Sequence, residues 1–351
     1  MKKMIKIITL CSILLLSACG SAKHYVAYTV YPIGYLLQRI GGNKIQTISI
    51  QDSDLVQTAS IISNYEEILN DSLYLFYLGG LEPYYEIYEE HIEATGVKKI
   101  DLSKLNAIYD FKRYTQVFAN GVETFVEGPY YPGDVFDKID VNELDLSIWI
   151  DPIGMLSMAK DVYKTLASNY VEQSATFKAN YEQLEADLIA LDASYQNLAS
   201  KLKKENKTIK FVTMTPNFGN WQKAYGFGVY PVCLSKYGAV PGEQELAIIK
   251  ERIVADGVQY IAYEPNMSAE MLALFDQLES ELNLKRINLY NISSLTPSQL
   301  NENKDYLSLM YENLNVLENI STSTTEVMPE NNVQEGTEVE GELSNEVNNN
   351  E

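Results

Sequence analysis

The order of the apolar runs constrains the fold of this chain more than any other sequence feature. Short apolar runs typical of strands alternate with amphipathic stretches typical of helices between residues 25 and 101, and again between residues 209 and 317. Strands that alternate with helices pair in parallel, because each helix carries the chain back across the sheet. The sequence therefore predicts an α/β protein with two lobes, each a mainly parallel four-stranded sheet flanked by helices.

The predicted strands and helices follow each other regularly in both lobes. The strands lie at residues 25–30, 45–50, 73–78, 97–101, 209–213, 228–234, 258–263 and 284–289. The helices lie at residues 32–40, 57–70, 83–95, 218–225, 242–256, 268–282 and 297–317. With 351 residues and a hydrophobic content of 46%, the chain has enough apolar side chains for one large domain or two of ordinary size.

A long apolar stripe separates the two lobes. Its members recur at alternating spacings of four and three residues and are Phe177, Tyr181, Leu184, Leu188, Leu191, Tyr195, Leu198 and Leu202. This spacing predicts a helix with one buried face. The seam of a coiled-coil dimer is the alternative, but the stripe lasts fewer than about four heptads and stands between two α/β halves. We therefore expect one long rigid helix that joins the lobes of a monomer.

Residues 105–147 interrupt the regular alternation. This stretch is rich in Tyr, Gly and Asp, with the sequence EGPYYPGD at residues 127–134. Long connections without regular structure are uncommon in compact domains and are usually functional. We predict a functional or covering loop here, followed by a strand at residues 146–150.

The amino end has the three parts of a secretory signal. Basic residues precede an apolar run at residues 7–16, and the small residues Ser17 and Ala18 precede Cys19. The run is shorter than the roughly 20 residues that a membrane-spanning helix needs. The sequence LSAC at residues 16–19 has the form of a lipoprotein cleavage site. We predict a signal peptide at residues 1–18, lipid on Cys19, and an extracytoplasmic protein anchored to a bacterial cell membrane.

The chain is strongly acidic. It has 27 Lys and Arg against 48 Asp and Glu, a net charge of −21, which argues against nucleic acid as a partner. Residues 321–351 contain eight Glu and no Lys, Arg or Asp, so a disordered acidic tail is expected. The predicted units are the signal peptide (1–18), an N-terminal lobe (19–152), an inter-lobe helical region (153–206), a C-terminal lobe (207–318) and the tail (319–351).

Short motifs spread over most of the chain resemble one known family. They are TVYP at residues 29–32, IGGNKI at 40–45, GGLEP at 79–83, IWIDP at 148–152, FVT at 211–213, YEP at 263–265 and DY at 305–306. In this order and spacing they resemble the metal-binding receptors of bacterial zinc and manganese ABC importers. The resemblance implies lobes that barely hinge, capture of a ligand in the cleft between them, and delivery to an ABC permease in the same membrane.

The resemblance also implies a metal site, and there the sequence departs from the family. Such receptors usually hold their ion with three His and one carboxylate, a set that suits zinc. Ser147 and Thr215 stand where two of the His are expected, and the position of the third falls at Asp54 or Val56. Glu264 keeps the type of the fourth ligand. A three-His zinc site cannot be built from these residues.

The two histidines of the chain, His24 and His91, offer no replacement. His24 lies close to Cys19, and His91 lies among acidic residues on a predicted helix, so we expect both to be solvated. A nucleophile activated by His would need one of them, and no phosphate-binding glycine loop is present in the sequence. An enzyme is therefore not expected.

An oxygen-rich site is the main substitute for the missing imidazoles. Carboxylate, hydroxyl and amide oxygens suit manganese, calcium or magnesium better than zinc. Asp151 is a further carboxylate, although a cap on the helix after Pro152 is the simpler interpretation. The predicted cargo is a divalent metal ion, manganese or zinc, and the candidate ligand-binding residues are Asp54, Ser147, Thr215, Asn217 and Glu264.

Two other functions stay open. The chain has 26 Tyr, and rings with hydroxyl tips suit small organic ligands or protein surfaces, although most are expected to be half-buried faces of helices and strands. A receptor fold without its imidazoles is also compatible with a degenerate receptor that acts as a surface interaction or adhesion protein.

Overall fold

The computed structural model describes residues 24–52, 55–104, 108–119 and 122–322. The predicted signal peptide, the lipid site Cys19, the candidate ligand Asp54 and the tail beyond residue 322 lie outside the described residues. Within the described ranges, no helix is both long enough and apolar enough to cross a membrane.

Two parallel four-stranded sheets form the centres of the two lobes. The strands are β1 (Tyr25–Tyr28), β2 (Gln46–Ser49), β3 (Gln51–Asp52), β4 (Ser60–Ile61), β5 (Ser72–Tyr77), β6 (Lys98–Asp101), β7 (Arg113–Ala119), β8 (Val122–Gly128), β9 (Lys210–Thr213), β10 (Gly228–Pro231), β11 (Tyr260–Tyr263) and β12 (Lys285–Asn288). The sheet orders are β2-β1-β5-β6 and β10-β9-β11-β12, and all neighbours in both sheets are parallel. The predicted fold class is confirmed, and the two lobes repeat one strand order.

Helices cover both sheets and connect the lobes. They are α1 (Tyr31–Gly41), α2 (Tyr65–Asn70), α3 (Pro83–Ala94), α4 (Pro152–Asn169), α5 (Ser174–Lys204), α6 (Asn220–Tyr225), α7 (Glu243–Ala255), α8 (Ala269–Glu281), α9 (Pro297–Asn301) and α10 (Tyr306–Ser321). Pro begins α3, α4 and α9, a position where its missing N–H costs no hydrogen bond.

Three predictions of local structure were wrong. Within residues 57–70 the α-helix covers only Tyr65–Asn70, because β3 and β4 pair antiparallel before α2 begins. The predicted helix at residues 297–317 is two helices, since Thr296 and Asp305 each start one with a capping box. Residues 146–150 contain a 3₁₀ turn at Ile148–Ile150 instead of a strand.

The long helix α5 joins the lobes as predicted. Its buried side chains are those of the predicted apolar stripe. In the N-terminal lobe, Arg39 Nη2 donates a hydrogen bond to Oδ2 of Asp187 on α5 at 2.6 Å. Further along α5, Tyr195 Oη donates to the carbonyl oxygen of Met310 in the C-terminal lobe at 2.8 Å. Helix α5 therefore packs along both lobes.

One continuous apolar core runs through both lobes, and Trp149 lies within it. The Trp149 side chain is fully buried, and its Nε1 donates to the carbonyl oxygen of Asn291 at 2.8 Å. The carbonyl oxygen of Trp149 accepts a hydrogen bond from Tyr306 Oη at 2.6 Å. Both partners belong to the C-terminal lobe, so this tryptophan fixes one lobe against the other.

Residues 109–145, here called the covering segment, leave the N-terminal lobe and pack on the C-terminal lobe. Asp110 and Leu144 form a β-bridge at its base, and β7 and β8 form an antiparallel hairpin within it. Tyr131 Oη donates to the carbonyl oxygen of Pro231 at 2.9 Å. The expectation of a loop without regular structure was wrong, because the segment contains this hairpin.

Arg113 and Asp256 hold the covering segment on the C-terminal lobe. Arg113 Nη2 donates to Asp256 Oδ2 at 2.8 Å and to Tyr230 Oη at 3.1 Å. Burial alone would raise the pKa of Asp256, but hydrogen bonds from Arg113, Arg252 and Tyr230 lower it below its usual value. A carboxylate with a lowered pKa stabilises the fold above its unfolded-state pKa, and this contribution is lost as the pH falls through the folded-state value.

We therefore expect Asp256→Asn to lower the free energy of unfolding by roughly 1 kcal/mol at pH 7. The loss should begin to shrink below about pH 4, where the carboxylate of the unfolded chain becomes protonated, and should disappear below the lowered folded-state pKa. Urea unfolding of wild type and variant, once at pH 7 and once below about pH 4, measures the difference in unfolding free energy. The control is Asp137→Asn, which changes an exposed acid of the covering segment. An equal loss at both pH values would contradict the ion-pair explanation.

Candidate functional site

A small cavity lies between the lobes and beneath the covering segment. Its walls come from the N-terminal lobe (Val56, Gln57, Leu81), the C-terminal lobe (Pro216, Asn217, Leu234, Lys236), the covering segment (Phe111, Asn142, Leu144, Asp145) and the adjoining Leu146 and Ser147. The cavity volume is about 20 Å³, close to the space that a single water molecule needs. Organic ligands occupy sites of roughly 300–1,000 Å³, so this space suits one ion or one water molecule.

Asn217 joins the two lobes across this cavity. Its Oδ1 accepts a hydrogen bond from Gln57 Nε2 at 2.9 Å and another from Ser147 Oγ at 3.2 Å. All three side chains are buried. Asn217 is placed there by the loop after β9, and Gln57 by the 3₁₀ turn at Val56–Thr58.

The side-chain amides of Gln57 and Asn217 each have one atom without a hydrogen-bond partner among the described residues. Gln57 Oε1 and Asn217 Nδ2 are buried and have no hydrogen-bond partner among the described residues. Exchanging nitrogen and oxygen in both amides would again leave one acceptor and one donor of the pair unbonded. Buried polar atoms without partners are rare and costly, so an unbonded pair in a cavity wall indicates a place for a small polar ligand or a water molecule.

Asp145 is the carboxylate in the cavity wall. It is 5% exposed, and its Oδ1 accepts a hydrogen bond from the backbone N–H of Ser147 at 3.3 Å. Burial raises the pKa of Asp145 to about 7, and the hydrogen bond from Ser147 opposes this rise. The shift reflects the cost of a buried negative charge, which a cation in the cavity would offset.

Glu264 lies behind the C-terminal wall of the cavity and is fully buried. Its Oε1 accepts hydrogen bonds from the backbone N–H groups of Met214 and Thr215, both at 3.0 Å. Its Oε2 accepts from Thr215 Oγ1 at 2.5 Å and from Asn291 Nδ2 at 2.7 Å. A carboxylate has about four acceptor positions. In Glu264, donors of the protein itself occupy all four.

We expect Glu264→Gln to lower the free energy of unfolding by about 1–3 kcal/mol, because the new amide N–H₂ would face hydrogen-bond donors. Cation binding should stay at the wild-type level, since the Glu264 carboxylate has no position left for a ligand. Thermal unfolding and cation titration of the same variant separate the two effects. A variant that keeps wild-type stability but loses cation binding would contradict this view.

The N-terminal lobe has a counterpart of this cluster. Thr29 follows β1 as Thr215 follows β9, and Glu82-Pro83 follows β5 as Glu264 with its proline follows β11. Thr29 Oγ1 donates to Glu82 Oε1. Burial raises the pKa of Glu82 to about 7, although the hydrogen bond from Thr29 opposes this. The repeated strand order thus extends to a buried Thr–Glu pair in each lobe.

Other metal-binding arrangements are not found in the described ranges of the chain. No group of three or more His, Cys, Asp and Glu side chains there is close enough to hold a metal ion. Asp151 Oδ1 accepts a hydrogen bond from the backbone N–H of Ile153 and caps α4, as the simpler interpretation had it. His24 is exposed, and the His91 side chain is 65% exposed beside Glu66.

The sequence-predicted site residues fall into two neighbouring groups. Ser147 and Asn217 line the cavity and contact each other, whereas Thr215 and Glu264 form a closed cluster behind it. Sequence reasoning missed Gln57 and Asp145. Asp145 had a signal, as the sole charged residue in the apolar run LDLSIWI at residues 144–150, but the pairing of Gln57 with Asn217, 160 residues away, had none.

Comparison with known sequences gives one family and several relatives. The model of the family described as zinc-uptake complex component A, periplasmic (ZnuA), matches residues 26–320. The zinc-binding lipoprotein AdcA of Streptococcus pneumoniae serotype 4 is 27% identical over 176 residues, which is 50% of this chain and 34% of the relative. The zinc-binding protein AdcA of Streptococcus pyogenes serotype M1 is 25% identical over 187 residues, 53% of this chain and 35% of the relative. The match thus spans about a third of these relatives.

Solved structures resemble this one over most of its length. The Zn(II)-bound ZnuA-like domain of Streptococcus pneumoniae AdcA has a TM-score of 0.63 at 19% identity and covers 86% of this chain and 99% of its own. The periplasmic zinc-binding protein TroA of Treponema pallidum has a TM-score of 0.64 at 16% identity, with coverage of 86% and 99%. At these identities the likeness is one of fold.

Proposed function

Since the chain belongs to the family of zinc-uptake complex component A, we propose that it is the extracytoplasmic solute-binding receptor of a metal-type ABC importer. It captures its cargo in the cavity between the lobes and passes it to an ABC permease. Lipid on Cys19 holds the receptor at the membrane surface, where the tether raises its local concentration near the permease. The relatives that share the family are zinc-binding proteins by name.

One observation carries this proposal. The cavity between the lobes has room for about one ion, and the residues of its walls include the buried carboxylate of Asp145 and the amide oxygen of Gln57, which has no partner among the described residues. A buried polar cavity of this size fits an ion or a water molecule, and its position between the lobes is where a receptor of this fold would hold a cargo. The shared apolar core supports a receptor whose lobes move little.

The cargo we propose is a hard divalent cation, with manganese, calcium or magnesium favoured over zinc. The polar cavity walls offer oxygen atoms of carboxylate, amide and hydroxyl groups. Hard cations take such oxygen ligands, whereas zinc sites in proteins are built mainly from imidazole nitrogen and thiolate sulfur. Among the described residues neither group lines the cavity, because both His are on the surface and the buried Cys233 belongs to the core of the C-terminal lobe.

Calorimetry and native mass spectrometry with Mn²⁺, Ca²⁺, Mg²⁺ and Zn²⁺ test this proposal on the whole chain. We expect one hard cation per chain, bound more tightly than zinc. Binding of no cation below about 100 μM, a value weak even for extracellular calcium modules, would contradict a cation receptor. A tighter zinc complex would contradict the proposed choice of cargo.

A second candidate, a surface interaction protein that binds no cargo, is favoured by one observation. The carboxylate at the family's fourth ligand position is fully engaged within its own lobe. For this function, no cation would bind in the titrations above, and the gene would stand apart from genes for a permease and an ATPase. An adjacent importer gene pair together with cation binding would support the receptor instead.

A further inference from the structure

Asp145 is a buried carboxylate that pairs with no positive side chain in the described ranges of the chain. It faces the inter-lobe cavity, and within the described part of the chain its side chain accepts one hydrogen bond, from the backbone N–H of Ser147. Lys236 lines the same cavity, but its ammonium group pairs with Asp140 at 3.2 Å. A buried negative charge without a counter-ion is costly, so the fold keeps Asp145 there at the expense of stability.

Neutral oxygen atoms connect Asp145 to the opposite wall. Ser147 links Asp145 to Asn217, through its N–H on one side and its Oγ on the other. Asn217 in turn accepts a hydrogen bond from Gln57 of the N-terminal lobe. Gln57 is 6% exposed, lines the cavity, and keeps Oε1 without a partner among the described residues. Asp145 and the neutral side chains of Gln57, Ser147 and Asn217 therefore line the same small space.

We propose that Asp145 is the charged ligand of the inter-lobe site, and that it binds a hard divalent cation together with the neutral oxygens of Gln57 and Ser147. Asn217 holds these two side chains in place, since its Oδ1 already accepts a hydrogen bond from each of them. This inference rests on the proposed function. Oxygen donors of mixed carboxylate and amide type are those that calcium, magnesium and manganese take in proteins. The cation offsets the charge of Asp145 and gives the unbonded Gln57 oxygen a partner.

In this site the charged ligand is Asp145 and not Glu264. Glu264 corresponds to the family carboxylate, but four donors of its own lobe already occupy its oxygens. Asp145 has free acceptor capacity and lies in the cavity wall. The charged ligand therefore comes from the covering segment, and the hydrogen bond between Gln57 and Asn217 connects the two lobes at the site.

Calorimetric titration of the whole chain with Mn²⁺ tests the assignment. Asp145→Asn should weaken binding roughly 100-fold or more, because even residues that only orient a metal ligand cost 10- to 100-fold. Asp137→Asn removes the same charge from an exposed position of the covering segment and should bind as the wild type does. Without cation, Asp145→Asn should unfold at the same temperature as the wild type or higher, a result that a purely structural role would not give.

A second variant keeps the proposal testable if Asp145→Asn does not fold. Gln57→Met removes the amide oxygen at similar volume and should weaken Mn²⁺ binding about tenfold. Wild-type affinity in either folded variant would overturn the ligand assignment while leaving the receptor proposal intact. Absence of Mn²⁺, Ca²⁺ and Mg²⁺ binding to the wild type would overturn both.

Discussion

Replacing Trp149 with Ala is expected to lower the free energy of unfolding by about 3–5 kcal/mol, the range for removing a large aromatic side chain from a core. The indole is fully buried, and its N–H bonds to Asn291 in the other lobe at 2.8 Å. The substitution leaves a cavity and an unpaired carbonyl oxygen at the junction of the lobes. Because both lobes share one core, the wild type should unfold in a single transition that this variant shifts as a whole.

Calorimetric and urea unfolding measure this effect. Trp149→Phe keeps most of the ring volume and should cost less, and Val171→Ala, at a side chain that is 74% exposed, should change the unfolding free energy by less than about 0.5 kcal/mol. If the Trp149→Ala protein showed two separate transitions, one at the wild-type midpoint, the lobes would be independent and the account of a shared core would be wrong.

Replacing Gly219 with Ala is expected to disturb both stability and cation binding. A Cβ atom on Gly219 would lie 2.1 Å from Asp145 Oδ2 and 2.8 Å from Tyr130 Oη. The backbone of Gly219 is helical, with φ −58°, so Ala meets no strain there and the clash decides the result. Overpacking of this kind costs about 1–3 kcal/mol, and a displaced Asp145 carboxylate should weaken Mn²⁺ binding by at least about tenfold.

The matched control is Gly128→Ala, because a Cβ atom there meets nothing within 4 Å. That variant should match the wild type in unfolding temperature and in Mn²⁺ affinity. A Gly219→Ala protein with wild-type values of both would mean that Asp145 is free to move away, and that its position against Gly219 does not shape the site.

The sheets and α5 could be predicted from the sequence because their signals are local and repeated. The apolar stripe from Phe177 to Leu202 has a strict helical spacing, and the buried face of α5 consists of those residues. The hairpin of β7 and β8 was missed although its sequence held a signal. Asn120-Gly121 stands between two alternating runs, a strong short-range indication of a hairpin.

The site was harder to predict because it depends on contacts between distant parts of the chain. The family motifs led to Ser147 and Asn217, which do line the cavity. They also led to Glu264, and no sequence pattern indicates that four donors occupy its carboxylate. The position of Asp145 depends on how the covering segment packs on the C-terminal lobe, which residue periodicity does not encode.

The covering segment gives the site a second feature beyond its ligands. Arg113 and Tyr131 attach this segment to the C-terminal lobe, while Asp145 at its end forms part of the cavity wall. The covering segment therefore fixes the position of Asp145 in the cavity wall relative to the C-terminal lobe.

The proposed site is a cavity between the lobes that holds a hard cation through Asp145. The most direct test is the anomalous scattering of manganese in crystals of this protein grown with Mn²⁺. We expect one peak between Asp145 and Gln57, with Mn–O distances of roughly 2.0–2.6 Å, the range for hard divalent cations with oxygen ligands. A cavity without a peak, or manganese bound beside Glu264 or only on the exterior, would contradict the account.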